Sequence, residues 1–463
     1  VTTMLTMPRL VIAGTGSGVG KTTIVTGLLA VLKRRGFAVQ SYKIGPDYID
    51  PGFHRLASGK PAHNLDTWLV PAEEIVPLFA KTAAGNDLAI IEGVMGLYDG
   101  GRGGISSTAA IAKQLSAPVI LVVDARSAGE SVAATVLGFK NYDPDLNIAG
   151  VIVNRMGSPS HKAIVAEALA RLGIPVFGYI FRDSSLAVPE RHLGLTPVTE
   201  TDAGAAVAAM AERISSQVTV DALVEVAASA PPLLLPQPKQ APAVKTVRIG
   251  VAQDEGFSFY YPESLAVLEA LGAEIVPFSP LRDKALPDVA GLIFGGGFPE
   301  MFLADLAANS AMHKAVREAV EQGMPVYAEC GGLMYLARQV TAFDGKVFEM
   351  TGVVPAACAM QSRLQTVGYV EVTACGDNIL CRAGDKLRGH EFHFSLMEPM
   401  GGGEDFPWAF MFEKMRTGNV YPGGYAVGNV LASYLHMHFA GNPAAAARFI
   451  SSCKEYWCAR EDD

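Results

Sequence analysis

The sequence predicts a two-domain α/β protein, and three observations carry that expectation. Short apolar runs alternate with helix-like stretches over residues 10–200, the pattern of parallel strands covered by helices. A second series of the same kind starts near residue 247. Between them, residues 229–246 hold five prolines, which remove amide donors and favour an extended linker. The expected division is a first domain over 1–228, a linker over 229–246 and a second domain over 247–463. A chain of 463 residues is long for one domain and sufficient for two.

In the first half the predicted strands are 10–13, 38–43, 88–92, 119–124, 148–154 and 176–180. Each is a short run rich in β-branched or other apolar residues, suited to a buried strand. Several are followed by polar loops, and open α/β sheets bind ligands beyond the carboxyl ends of their strands. Leu233, Leu234 and Leu235 inside the linker predict that it lies against a surface. In the second half, strands are expected at 247–252, 274–278, 291–294 and 325–328, with helices near 262–271 and 309–322. Later runs at 369–373 and 430–435 read as further strands, some of them antiparallel.

Composition excludes several classes. Lys and Arg number 37 against 46 Asp and Glu, a net charge of −9 that argues against a general nucleic-acid binder. No apolar run reaches the roughly 18–20 residues of a membrane span, and the first residues carry no signal-peptide signature. All six cysteines (330, 358, 375, 381, 453 and 458) lie in the second half, and none forms a Cys-x-x-Cys pair. Free thiols in a cytoplasmic protein are the expectation.

The stretch Gly14-Thr-Gly-Ser-Gly-Val-Gly-Lys-Thr-Thr, between a strand and a helix, has the layout of a phosphate-binding P-loop. Glycines let consecutive amides turn toward an anion, and the helix start adds about half a positive charge. Thr15, Gly16, Gly18, Gly20, Lys21, Thr22 and Thr23 are the expected ATP contacts. Lys21 is expected on the β/γ-phosphates and Thr22 on Mg²⁺. The strict pattern calls for glycine at position 15, where this chain has Thr15 beside Gly14. Asp47 and Glu92, in loops after the second and third strands, are expected to supply hard oxygen to the metal with Thr22. Asp50 and Asp99 are expected to position substrate. Asn154 either reads a purine edge or caps a turn.

In the second half, Glu329-Cys330-Gly331-Gly332 sits between a strand and a helix-like run, an elbow that exposes a nucleophile. A helix start is expected to favour the Cys330 thiolate. Amides near Gly297 and Gly331 are expected to hold an oxyanion. A cysteine nucleophile needs a base, and spacing leaves two pairs open: His436 with His438, or His390 with His393.

Together these stretches resemble the cobyrinic acid a,c-diamide synthases of cobalamin biosynthesis. The likeness also takes in Lys43-Ile-Gly-Pro-Asp-Tyr-Ile-Asp-Pro, Glu92-Gly-Val-Met-Gly-Leu-Tyr-Asp-Gly, Phe294-Gly-Gly-Gly-Phe-Pro-Glu and Gly389-His-Glu-Phe-His-Phe-Ser. The resemblance implies a P-loop NTPase-type domain like dethiobiotin synthetase, in which Thr15 is ordinary. It implies a C-terminal class I glutamine amidotransferase domain. ATP, Mg²⁺, L-glutamine and a corrinoid tetrapyrrole are the implied cofactors and substrates, without nucleic acid or membrane, and a homodimer is left open. The likeness selects His436 as base and puts His438 where such enzymes usually carry an orienting glutamate. Nickel-sirohydrochlorin a,c-diamide synthases share these motifs. A P-loop regulatory ATPase with an inert second half is the non-enzymatic alternative.

Overall fold

The computed structural model describes residues 3–182, 200–235 and 245–462. The chain separates into two compact units, Val1–Pro238 and Lys239–Asp463.

The first unit is built on seven strands: β1 (Arg9–Gly14), β2 (Val39–Ile44), β3 (His63–Leu65), β4 (Leu88–Glu92), β5 (Val119–Asp124), β6 (Ile148–Met156) and β7 (Val176–Phe181). They lie in the order β3-β2-β4-β1-β5-β6-β7, and every pair is parallel. Both faces are covered, so β1, β2 and β4 are buried along their whole length and read as continuous apolar runs. The parallel register puts the carboxyl ends of β1, β2 and β4 side by side. Helices α1 (Lys21–Arg34) and α2 (Ile49–Ser58) start just beyond β1 and β2.

The linker expectation needs correction in its first part. Leu233–Leu235 forms an antiparallel pair with Thr3–Leu5 inside the first unit. The guanidinium of Arg9, fully buried in β1, donates to the Pro231 carbonyl at 2.6 Å, to Leu115 at 2.6 Å and to Met7 at 2.9 Å. A buried guanidinium with satisfied donors fixes this stretch, and pairing buries Leu233. The boundary therefore falls near residue 238. Residues 236–244 lie outside the described residues.

The second unit carries ten strands: β8 (Val247–Ala252), β9 (Ala273–Phe278), β10 (Gly291–Phe294), β11 (Val326–Glu329), β12 (Thr366–Ala374), β13 (Lys386–His393), β14 (Trp408–Lys414), β15 (Val420–Val427), β16 (Val430–Ser433) and β17 (His436–Met437). Their order is β9-β8-β10-β11-β16-β15-β14-β12-β13-β17. The first five are parallel and the rest antiparallel. A separate four-stranded sheet includes Val354–Met360 and Ser395–Pro399.

The single strand expected at 430–435 is two strands. β16 ends at Ser433, and β17 begins at His436 on the far edge of the sheet order. Three residues span at most about 10 Å. The antiparallel half must therefore curl back until β13 and β17 lie beside the parallel half. That curl sets His390 opposite His436 in register. Among the described residues no helix is long and apolar enough to cross a membrane.

Replacing Arg9 with Met leaves several buried carbonyls without their donor. Arg9→Met is expected to lower the unfolding free energy of the first unit by about 2–4 kcal/mol, read from urea denaturation. A loss below about 0.5 kcal/mol would contradict the clamp.

Candidate active site

The loop from β1 to α1 forms the first centre. Gly18 and Gly20 take left-handed φ angles of 70° and 99°. A side chain at Gly20 would collide with the Asn154 amide, its Cβ only 2.3 Å away. Asn154 donates from Nδ2 to the Val19 carbonyl at 2.9 Å, and its Oδ1 accepts the Arg155 amide. Its side chain thus braces the loop from β6, which favours the turn reading over the purine reading. The Thr15 amide donates to Val122 at 3.1 Å, tying the loop's start to β5. Thr23 sits half-buried in the first turn of α1.

Lys21 Nζ donates to the carbonyls of Gly16 at 2.9 Å and Met95 at 2.6 Å, curling over the loop. Burial first, and then the neighbouring Lys43 charge, lower its pKa to about 8. An arriving phosphate would offset both effects.

Beyond the loop is a dense charge cluster. Glu92, at the end of β4, has no exposed surface. Its Oε1 accepts from Thr22 Oγ1 at 2.7 Å and from Lys43 Nζ at 2.8 Å, and its Oε2 lies 2.6 Å from His54 Nε2. Burial alone would raise its pKa, but the Lys43 charge and the His54 contact outweigh that and hold it below the usual carboxylate range. Asp50 lies 2.5 Å from Lys43 and 3.2 Å from Thr22 Oγ1. Burial and the nearby Glu92 charge push its pKa up. The same two carboxylates overcome the burial of Lys43 and raise its pKa.

Asp47 and Asp50 both approach Lys43, at 3.8 and 2.5 Å, but differ in their other contacts. Asp47, expected at the metal, uses Oδ1 to accept the amides of Ile49 at 2.8 Å and Asp50 at 3.4 Å at the start of α2, a local turn cap. Asp50, expected to position substrate, is the residue beside Thr22 and Glu92. Asp99 Oδ2 accepts the Gly96 amide at 2.9 Å. The sequence reading gave Lys43 no role and left His54 open between a substrate-side and a structural place, because only the fold shows that both point at Glu92. Among the described residues no group of three or more His, Cys, Asp and Glu is arranged to hold a metal. The convergent Thr22, Asp50 and Glu92 oxygens are nonetheless the hard donors that suit Mg²⁺ beside a phosphate.

The second centre begins at the end of β11. Cys330 has φ 47° and ψ −97°, an unfavourable conformation for a residue with a Cβ, and begins the six-residue helix Gly331–Leu336. Its amide donates to the Ser433 carbonyl at 2.7 Å, tying the elbow to β16. Gly332 is sterically required, since a Cβ there would lie 2.2 Å from the Phe294 carbonyl. The Gly331 amide faces the Cys330 sulfur. The Cβ direction of Gly331 passes 3.5 Å from the Gly297 nitrogen, so the two expected oxyanion donors are neighbours.

The expected thiolate is corrected by its surroundings. Burial pushes the Cys330 thiol up, the Glu300 and Glu329 carboxylates add to this, and the Gly331 amide opposes them only in part. The helix is too short, and the site too buried, for its dipole to prevail. The sulfur faces the Phe392 carbonyl at 3.8 Å, so the resting group is a thiol that needs a base.

His436 lies against the loop that carries Gly297. Gly296 packs so tightly on it that a Cβ there would lie 2.8 Å from His436 Cε1. Its ring stacks on His390 at 4.9 Å and 15°, and meets Phe259 edge-on at 4.9 Å. Its Nδ1 lies 3.5 Å from Glu329 Oε2. His390 hydrogen-bonds through Nε2 with Tyr261 Oη at 2.7 Å, and burial and the His436 charge keep its pKa well below the ordinary value. His393 stacks on Tyr434 at 3.7 Å and donates from Nδ1 to Ser395. His438, expected at the place of the orienting glutamate, is engaged locally. Its Nδ1 accepts the Ala440 amide at 3.1 Å, its ring packs near Tyr261, and burial lowers its pKa to about 4.

Residues 10–195 match the CobQ/CobB/MinD/ParA nucleotide binding domain. Residues 248–444 match the CobB/CobQ-like glutamine amidotransferase domain. A cobyrinate a,c-diamide synthase of Dehalococcoides mccartyi is 45% identical over 98% of this chain and 99% of its own. This chain belongs to the cobyrinate a,c-diamide synthase family. A hydrogenobyrinate a,c-diamide synthase of Streptomyces coelicolor is 44% identical over 97% of this chain and 98% of its own. A cobyrinate a,c-diamide synthase of Salmonella typhimurium is 42% identical over 96% and 98%. One chain thus carries a nucleotide-binding domain and an amidotransferase domain, which agrees with the two-domain α/β architecture.

Cys375 and Cys458 are exposed, so they serve as internal references for Cys330. At pH 7 without substrate, iodoacetamide should modify Cys330 at least ten-fold more slowly than either, since reaction needs thiolate. Its rate should still be rising above pH 9. Peptide mass spectrometry gives all three rates, and rapid modification of Cys330 that is flat with pH would contradict the resting thiol.

Proposed function

We infer that this protein amidates the a and c carboxylates of cobyrinate, using ATP to activate each carboxylate and glutamine to supply ammonia. The observation that carries this reading is one chain holding both a P-loop backed by Thr22, Asp50 and Glu92 and a strained Cys330 elbow preceded by Glu329, whose carboxylate lies 3.5 Å from His436 Nδ1. Relatives 42–45% identical over nearly the full chain support the substrate.

In the second unit, His436 takes the Cys330 proton as sulfur attacks the glutamine side-chain amide. The amides of Gly297 and Gly331 hold the oxyanion. His436 then returns the proton to the leaving ammonia, and water releases glutamate from the thioester. In the first unit, a substrate carboxylate oxygen attacks the γ-phosphate of ATP, forming an acyl phosphate and releasing ADP. Lys21 and the loop amides hold the phosphate oxygens. Thr22, Asp50 and Glu92 would hold Mg²⁺, which supplies charge neutralisation on the phosphates. Ammonia attacks the acyl carbon and phosphate leaves. Lys43 screens the paired carboxylates, which otherwise repel a phosphate.

The Streptomyces relative, whose name gives a hydrogenobyrinate substrate, matches this chain almost as well as the Dehalococcoides one. Hydrogenobyrinate is therefore the second reading. Incubating each tetrapyrrole with ATP and glutamine, followed by mass spectrometry, should show conversion to diamides. Conversion of nickel-sirohydrochlorin alone would overturn both readings.

Cys330→Ala should cut glutamine-dependent amidation about 10³-fold while retaining amidation driven by ammonium salt. Lys21→Ala should cut both about 10²-fold or more. Glutamine-dependent turnover unaffected by Cys330→Ala would contradict the nucleophile assignment.

A further inference from the structure

We propose that Glu329, the residue immediately before the nucleophile, orients His436 and stabilises its protonated ring. It would thereby fill the role of the carboxylate missing from His436-Met437-His438. The proposal rests on the reading of Cys330 and His436 as a glutaminase pair.

Three features of the geometry support it. The Glu329 carboxylate is divided in its tasks. Its Oε1 accepts the Tyr327 hydroxyl and the Met437 amide at 3.4 Å, so two donors on β11 and β17 fix one oxygen. The other, Oε2, is thereby directed at His436 Nδ1, 3.5 Å away. Among the described residues, neither ring nitrogen of this buried imidazole has a hydrogen-bond partner. A movement of about 0.5 Å would bring Nδ1–H and Oε2 to ordinary hydrogen-bond length. Finally, the expected alternative is occupied elsewhere, because His438 Nδ1 accepts the Ala440 amide.

The chemical consequence follows from ring tautomerism. A hydrogen bond from Nδ1–H to Oε2 leaves the lone pair on Nε2, the atom free to take the thiol proton. When His436 becomes imidazolium, the carboxylate 3.5 Å away offsets the new charge. The titratable side chain stacked on the ring is His390. His390 is held neutral and adds no repelling charge. Glu329 touches no reacting atom, so it is a positioning residue. Its place in the sequence is economical: the backbone that delivers the nucleophile also delivers the group that sets its base.

The test is steady-state glutaminase kinetics of the full chain over pH, comparing wild type, Glu329→Gln and Glu329→Asp. Glu329→Gln should lower kcat for glutamine hydrolysis by about 10²–10⁴-fold, with KM for glutamine changed less than about three-fold. The acid limb of kcat/KM should move down by about one pH unit, because the base loses its anionic partner. Glu329→Asp should recover at least ten-fold of the lost rate. The proposal is overturned if Glu329→Gln keeps kcat within three-fold. It is also overturned if the acid limb stays in place, or if Glu329→Asp is no better than Gln. If Cys330→Ser hydrolyses glutamine normally, the underlying glutaminase reading fails instead, which separates the two failures.

Discussion

Glu92 is a carboxylate with no surface in water, and the first unit is arranged around keeping it ionised. An unpaired charge at that depth would neutralise itself. Lys43, His54 and Thr22 prevent this, and they come from three separate segments that meet only because β1, β2 and β4 end together. The result is a fixed negative charge at the mouth of a loop built to receive another one. Lys43 reconciles them by binding Glu92 and Asp50 together. Lys21 stays separate, its ammonium on backbone carbonyls and its pKa lowered, so it is the cation most readily redirected to a phosphate.

The second unit solves an opposite problem. Its nucleophile is kept neutral by burial and by flanking carboxylates, so reactivity must be created when substrate binds. Strain at Cys330, the close packing of Gly332 on Phe294 and the curl that sets β13 against β17 hold the groups in place beforehand. A thiol that ionises only as its proton passes to His436 is protected from adventitious reaction between turnovers. Glu329 takes part in both effects. It disfavours a free thiolate and favours an imidazolium, so together the two interactions tie ionisation to proton transfer.

The alternation of strands and helices was legible in the sequence because buried parallel strands are continuous apolar runs. The glycine loop and the Glu-Cys-Gly-Gly elbow were legible because their backbone geometry demands glycine. Roles set by tertiary contacts were not. Asp47 and Asp50 are three residues apart on either side of the start of α2, and only the fold decides which caps the turn and which meets Thr22. Lys43 and His54 look like a strand residue and a helix residue until Glu92 is placed between them. His438 was placed by likeness alone, and only the fold shows the turn at Ala440 engaging its Nδ1. The thiol's protonation was misjudged because a local helix start was weighed without the burial that outweighs it. Leu233–Leu235 was read as covering a surface, and it does so as a strand beside residues more than 200 positions earlier.

The central claim is that the two centres serve one reaction, with nitrogen released at Cys330 ending in the amides made beside the P-loop. The most direct measurement is to supply glutamine labelled with nitrogen-15 at its side-chain amide, together with ATP and cobyrinate, and to weigh the product. The account predicts a diamide in which both new amide nitrogens carry the label, and no product when ATP is left out. Amidation with unlabelled nitrogen, or glutamine hydrolysis with no amide formed on the tetrapyrrole, would contradict it.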